Sequence, residues 1–529
     1  MVKVIDIRLN TNEIDNQKLI LKTISEKLNI NQDRINNIIL SKKSIDSRNK
    51  KIKYQLRYQV YIDSSFFEHR SVKRNYVKVN DKKTAVIIGF GTAGLFAGLR
   101  LIELGIKPII FERGKQIRER RRDIANLNKK HILNNDSNYC FGEGGAGTFS
   151  DGKLYTRSKK RGDINRILET LVYHGADRGI LIEAHPHIGT DKLPKIIKKM
   201  RETILNCGGE IHFNSRISNI ITKENKIQKI KINEEKEIEC KNIILATGHS
   251  ARDIYYLLDK IKVKLELKEI AIGVRVEHDQ SFINNKQYHN QYNKNYLPPA
   301  SYNLSTKYKN RSIHSFCMCP GGIIAPCATN SNELVTNGWS PSRRDNKTAN
   351  SGIVVQLNKK DFNIRKYKHF AALEFQKKIE NKAYQLSNQS QKVPAQKLSD
   401  FMNDKLSVNI PKTSYIPGTI SVKMSELFPR FIYETLRGAF LEFDKKMSGY
   451  ITNEAIVHAP ESRTSSPIRI PRDKITLENN QIQGLFPCGE GAGYAGGIMS
   501  AAIDGEKVAF MVSEKLLWKD FSNFFCCFF

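Results

Sequence analysis

An apolar strand running directly into Gly89-Phe90-Gly91-Thr92-Ala93-Gly94 and a helix, a second strand closing on Glu112, and a glycine-dense strand–turn–helix at residues 482–515 predict an α/β fold. The class is a Rossmann-like domain of the FAD/NAD(P)-binding type, interrupted by an inserted α+β domain and preceded by a small α+β unit. The boundaries read from the chain are an accessory unit at 1–80, the first part of the dinucleotide domain at 81–261, an inserted substrate or cap domain at 262–470, the return of the dinucleotide domain at 471–518 and a tail at 519–529.

The elements follow in order. Val2 to Leu9 alternates like a strand, Leu19, Leu21, Ile24 and Leu28 recur at helical spacing, and Ile52 to Ile62 alternates again. A ferredoxin-like unit is one arrangement this pattern allows. After the polar break at Asn80-Asp81-Lys82-Lys83, the strand Ala85 to Ile88, the helix ending at Gly105 and the strand Lys107 to Phe111 make one βαβ unit. A helix is predicted from Asp191 to Cys207, with strands at 210–213, 217–221 and 242–245. The stretch 262–470 is less regular and reads as the insert.

Composition narrows the class. The chain has 529 residues, 40% hydrophobic and 26% charged, which is globular and long enough to bury a core without disulfides or metals. Lys+Arg is 86 against 54 Asp+Glu, a formal charge of +32. The excess is spread along the chain, so compositional drift is favoured over a dedicated nucleic-acid surface. Nine cysteines, an odd number without scaffold spacing, fit reduced thiols and a cytoplasmic location. The N-terminal residues lack a signal-peptide core, and no run of eighteen apolar residues predicts a membrane span. Cys526-Cys527-Phe528-Phe529 formally matches a prenylation box, and a frayed apolar tail is the preferred reading.

The glycines carry the first chemistry. Gly89 permits a tight turn, Gly91 lets the backbone approach a diphosphate, and Gly94 allows close helix–strand packing; Thr92 and Ala93 offer N–H groups at the helix start. Glu112 lies where an acid receives ribose hydroxyls, with Arg113 beside it. A bound FAD needs further contacts, and four segments offer them. The loop 141–152 brings Gly145, Gly147, Ser150, Asp151 and Gly152. The strand 217–221 brings Ile217, and Ile243-Ile244-Leu245 runs into Ala246-Thr247-Gly248. Near the end, Gly489 and Glu490 close a strand, and Gly496, Gly497 and Ile498 open a helix. Glu490 suits ribityl hydroxyls, and the helix start suits the negative edge of a reduced flavin.

These strings resemble the glutathione-reductase-type flavoproteins, and more closely the group called FAD-dependent, or NAD(FAD)-utilising, dehydrogenases. The resemblance spans nearly the whole chain, from Ser44-Ile45-Asp46-Ser47-Arg48 through GFGTAGLFAGLRL, ERGKQIRERRRD, GEGGAGTFSDGKL, ATGHSARD, SFCMCPGG and ESRTSSPIRIPRD to PCGEGAGYAGGIMSAAIDG. It implies FAD held by the first and last segments with a substrate domain between them. No second strand–GxGxxG–helix unit is legible between 262 and 480, so the expectation is either NAD(P)H as a transient electron donor or a substrate that itself reduces the flavin.

Candidates for the reaction are fewer. Cys317 and Cys319 fit a redox pair or a thiolate nucleophile, and equally a buried structural pair. Metal binding is not expected, since no matching second pair stands at zinc spacing. Cys140 has no partner at short spacing, which argues against thiol–disulfide exchange of the glutathione-reductase kind. Glu461 and Arg463, with Thr464, Ser465 and Ser466, fit either a carboxylate clamp or an inter-domain salt bridge. His185, His187, His249 and His278 are proton-shuttle candidates, His249 gaining from its place after Ala246-Thr247-Gly248. Arg118, Arg120, Arg121 and Arg122 read as a solvated helix face. The leading reading is an FAD-dependent oxidoreductase acting on a small molecule. The alternatives are a flavin-bearing RNA-binding or RNA-modifying protein and an FAD monooxygenase.

Overall fold

The computed structural model describes residues 1–64, 72–156 and 162–525; the terminal Cys526-Cys527-Phe528-Phe529 lies outside them. The strand Thr84–Ile88 has four consecutive buried residues, the signature of a strand covered on both faces. It lies centrally in a five-stranded parallel sheet, beside Lys107–Phe111 on one side and Ile243–Leu245 on the other. Glu210–His212 and Leu485–Pro487 form the two edges. The C-terminal strand therefore returns to the sheet that the N-terminal half begins.

The helix Thr92–Glu103 is apolar almost all round and buries nine of its twelve residues. The helix Ile498–Phe525 packs directly on it. Gly505 permits this, because a Cβ there would stand 2.2 Å from the Ala93 carbonyl oxygen. Each fully buried Ile or Leu in this layer contributes about 1.5–3 kcal/mol.

Residues 271–461 build a seven-stranded, mostly antiparallel sheet. Its order is Ser305–Tyr308, Arg311–Cys319, Thr348–Gln356, Ala271–Asp279, Ile456–Glu461, Val393–Lys397 and Thr419–Ser421. A hairpin of Ile323–Pro326 and Thr336–Trp339 lies against it. The N-terminal unit is strand–helix–strand–strand, with Lys53–Ile62 between Val2–Asn10 and Ile35–Asp46. It lacks the second helix and fourth strand of a ferredoxin-like fold among the described residues. Its core is continuous with that of the seven-stranded sheet, Ile7, Leu56 and Val60 joining Ile272, Val274 and Ile353. The Tyr54 hydroxyl also donates to the Tyr296 carbonyl at 2.7 Å.

Candidate functional site: a cavity between two sheets

The turn after Ile88 is shaped by lack of space. Gly89 has φ +98°, and a Cβ there would meet the Ala246 carbonyl at 2.6 Å. A Cβ on Gly94 would stand 2.0 Å from the Gly89 oxygen. The two glycine-rich segments meet backbone to backbone, since a Cβ on Gly145 would lie 2.8 Å from the Gly91 Cα. Likewise a Cβ on Gly491 would meet the Gly248 oxygen at 2.6 Å. Four segments distant in sequence thus converge through glycine contacts.

They enclose a cavity of about 390 Å³. Its walls include Gly89, Gly91, Thr92, Ala93, Glu112, Arg113, Gly145, Gly147, Ser150, Asp151, Gly152, Ile217, Ala246, Thr247, Gly248, His249, Glu490, Gly496, Gly497 and Ile498. Of the residues expected to touch a cofactor, Gly94 and Gly489 do not line it. Gly94 packs against the turn, while the Gly489 N–H donates to Asp504 at 2.7 Å.

Glu112 is buried and accepts the N–H groups of Phe90, Gly114 and Gly142 at 2.8, 2.9 and 2.9 Å. An ionised carboxylate has about four acceptor positions, so this one ties both glycine turns together and still faces the cavity. Arg113 pairs with Asp136 and Asp253 and lies over the Phe141 ring. Asp151 pairs with Arg344 at 2.8 Å.

Arg120 departs from its expectation. Arg118, Arg121 and Arg122 are exposed, but Arg120 has no solvent exposure. Its guanidinium donates to the carbonyls of Asn138, Glu143, Tyr139 and Gly145 at 2.8–3.0 Å. It folds the loop 138–148 around itself. Four arginines in five residues looked like a uniform solvated face; the carbonyl-rich loop that needs a planar fork of donors lies twenty residues away.

Glu461 is a second correction. Its carboxylate is buried against Arg275 at 2.8 and 3.0 Å and does not line the cavity. Arg463 does line it, yet is held by Glu333 at 2.6 Å and Glu380 at 3.0 Å, with Arg252 bridging the same two acids. His278 Nε2 donates to the Tyr450 carbonyl at 2.8 Å within the core of the seven-stranded sheet. The His185 ring lies tilted against Tyr155 with centroids 4.8 Å apart, and His187 meets the Ser342 carbonyl at 3.1 Å.

His249 and Glu490 face each other across 3.9 Å. Enclosure pushes the Glu490 carboxyl up to about 7, with Lys268 opposing it. Enclosure and the cations Arg463 and Arg252 push His249 down to about 3. The pair therefore holds a neutral imidazole beside a carboxyl that titrates near neutrality.

The far wall comes from the seven-stranded sheet and its hairpin: Phe316, Cys317, Cys319, Asn337, Gly338 and Thr464, with Lys153 and Tyr155 opposite. Cys319 is buried, whereas Cys317 is exposed on the wall, so the two are not a buried pair. Cys140 also lines the cavity, and its sulfur lies 3.7 Å from the Cys327 carbonyl. That contact is from the thiol to a backbone carbonyl 187 residues away in sequence.

Residues 269–464, which supply most of that wall, match the family FAD-dependent protein, C-terminal domain-like. Residues 1–61 match a domain of unknown function, DUF8436. A Clostridium beijerinckii protein described as uncharacterized is 40% identical over 534 residues, covering 96% of this chain and 99% of its own. The chain belongs to that protein's family. FAD is the cofactor of this family member: the matched domain is FAD-dependent and closes the cavity onto which the glycine turns open. The fit is supported by Gly496 and Gly497, where an added Cβ meets nothing within 4 Å, and by two helices whose first turns face the cavity. Solved structures of lower similarity include CtdE in complex with FAD and substrate 4, at 11% identity, 84% and 87% coverage and TM-score 0.34. A geranylgeranyl bacteriochlorophyll reductase-like protein from Thermoplasma acidophilum gives 14%, 83% and 80%, and 0.34. Scores this low establish no shared fold.

Among the described residues no group of three or more His, Cys, Asp or Glu is placed to hold a metal, and no helix is long and apolar enough to cross a membrane.

Proposed function

We propose that this chain is an FAD-dependent oxidoreductase that moves electrons between bound flavin and a small-molecule substrate. One observation carries the reading: the turn at 89–93, the loop at 145–152 and the turn at 496–500 line one cavity with the wall from the seven-stranded sheet. Bound FAD supplies the electron and hydride chemistry.

The chain's own residues supply position, charge and exclusion of water. Gly89, Gly91, Thr92 and Ala93 would hold the diphosphate, at a turn where side chains are absent and a helix begins. Glu112 would receive the ribose hydroxyls, and Glu490 those of the ribityl chain. The helix start at Gly497–Ile498 would place positive partial charge beside the ring. His249 and Glu490 together can hold or release a proton near neutral pH, a property suited to a coupled proton and electron reaction. Phe316, Asn337 and Thr464 would shape the substrate end.

The test is purification of the chain, its absorbance spectrum, and an anaerobic screen of reductants and metabolites for flavin bleaching. The expected result is a yellow protein bleached by a small subset of donors, with NAD(P)H acting without stable binding. A folded, colourless protein that takes up no FAD overturns the proposal. NAD(P)H consumption with peroxide release on addition of a substrate would convert the dehydrogenase reading to a monooxygenase.

A further inference from the structure

The strand Arg311–Cys319 loses its regular pairing with Thr348–Gln356 between Phe316 and Cys319. At the break Cys317 has φ +44°. That left-handed conformation costs a non-glycine residue about 1–3 kcal/mol. Three contacts hold it. The fully buried Arg275, paired with Glu461, donates to the Cys317 carbonyl at 3.3 Å. The Lys153 ammonium donates to the Met318 carbonyl. The Cys319 thiol turns back to donate to the Cys317 carbonyl at 3.2 Å.

The outcome is two unequal thiols. Cys317 is exposed on the cavity wall, and Cys319 is 1% exposed behind it. The Lys153 nitrogen lies 3.9 Å from the Cys319 sulfur, with Asp151 at 3.5 Å on its other side. Residues two apart span at most about 7 Å even when extended, close to the upper end of the Cα separations a disulfide bridges.

We propose that Cys317 and Cys319 form a redox-active dithiol, Cys317 attacking and Cys319 resolving, whose reaction partners are small disulfides entering the cavity. The proposal rests on the flavin oxidoreductase reading for the route by which the pair is turned over. The exchange itself needs only the two thiols. The Cys317 sulfur, as thiolate, attacks one sulfur of R–S–S–R, forming a mixed disulfide while the first R–S⁻ leaves and takes up a proton. The Cys319 sulfur then attacks Cys317, and the second R–S⁻ leaves and is protonated. Two protein thiols are oxidised to one disulfide, and one substrate disulfide is reduced to two thiols. Lys153 favours the Cys317 thiolate. Enclosure nonetheless pushes the Cys317 thiol up to about 11. The rate should therefore rise nearly tenfold per pH unit across the range below that value.

The test uses the full chain with oxidised glutathione and reads intact mass and mapped peptides. The wild type should lose two hydrogens from the peptide holding both cysteines. Cys319→Ser should trap one glutathione on Cys317, Cys317→Ser should do neither, and Cys207→Ser should behave as the wild type. Lys153→Gln should slow the reaction about tenfold without removing it. Trapping on other cysteines in Cys319→Ser, or an unresolved mixed disulfide in the wild type, overturns the proposal. FAD content is read from the absorbance of the same samples. Loss of thiol exchange with flavin retained defeats this proposal alone, and a flavin-free folded protein defeats the functional reading alone.

Discussion

The Arg120 guanidinium donates to the Gly145 carbonyl at 2.8 Å from a position with no solvent exposure. Gly145 in turn abuts Gly91, so one side chain beneath the cavity fixes both glycine segments above it. Removing it leaves the Asn138 and Tyr139 carbonyls without a donor, at about 1–3 kcal/mol each, while those of Glu143 and Gly145 keep only Thr148. Arg120→Ala is expected to unfold the loop and abolish FAD retention. Arg120→Lys, which keeps the charge but not the planar fork, should weaken FAD at least about tenfold. Thermal denaturation and flavin titration check both; unchanged FAD affinity in Arg120→Ala would sink the assignment.

Gly91 and Gly94 should separate under the same substitution. A Cβ on Gly91 makes an ordinary 3.7 Å contact with Gly145, whereas one on Gly94 collides with the Gly89 oxygen at 2.0 Å. Gly91→Ala should leave the ligand-free melting temperature within a few degrees and cut FAD affinity. Gly94→Ala should lower the melting temperature itself, with or without FAD. Equal melting temperatures for the two variants would contradict the geometry.

The acid limb of stability should depend on Glu380. Arg252 and Arg463 hold this buried carboxyl below its ordinary range despite the opposing effect of burial. The unfolded chain then takes up the proton at higher pH than the folded one. The stabilisation is complete above the ordinary carboxylate value and is lost as pH falls below it. Glu380→Gln should be less stable at neutral pH by about 3–5 kcal/mol, because two guanidinium groups lose a partner. Its stability should also vary less between pH 5 and 3 than that of the wild type, as read by denaturant unfolding.

Glu490 has the opposite sign. Its carboxyl is raised to about 7 in the folded, ligand-free protein. The folded state therefore binds the extra proton, and stability falls as pH rises from the ordinary glutamate value through 7. Glu490→Gln should match the wild type at pH 5 and melt higher at pH 8, a difference on the order of 2 kcal/mol. The reverse pattern would show that Glu490 is ionised throughout.

The glycine turn at 89–94 was legible as a strand–turn–helix because every requirement is local: strand, glycine spacing and acid lie within thirty residues. Much of the cavity lining was legible for a like reason, since three of its segments announce themselves by dense glycines. The organising side chains were not. Arg120 sits in a charged run, and its role depends on carbonyls of a loop that composition does not pair with it. Glu461 and Arg463 read as one motif, yet Glu461 pairs with Arg275 on the adjacent strand Ala271–Asp279 while Arg463 lines the cavity and reaches Glu333 and Glu380. Cys140 and Cys327 illustrate the same limit, since only folding brings residues 187 positions apart into contact.

The parallel sheet takes three strands from residues 84–212, a fourth at 243–245 and its last at 485–487. During synthesis the nucleotide turn leaves the ribosome about four hundred residues before Glu490 does. The strand 243–245, paired to 84–88 on one side, must keep its other side open for about 240 residues until 485–487 is made. Coenzyme capture is thus a late event that can begin only once translation has nearly finished, and a truncated product should emerge both apo and prone to self-association.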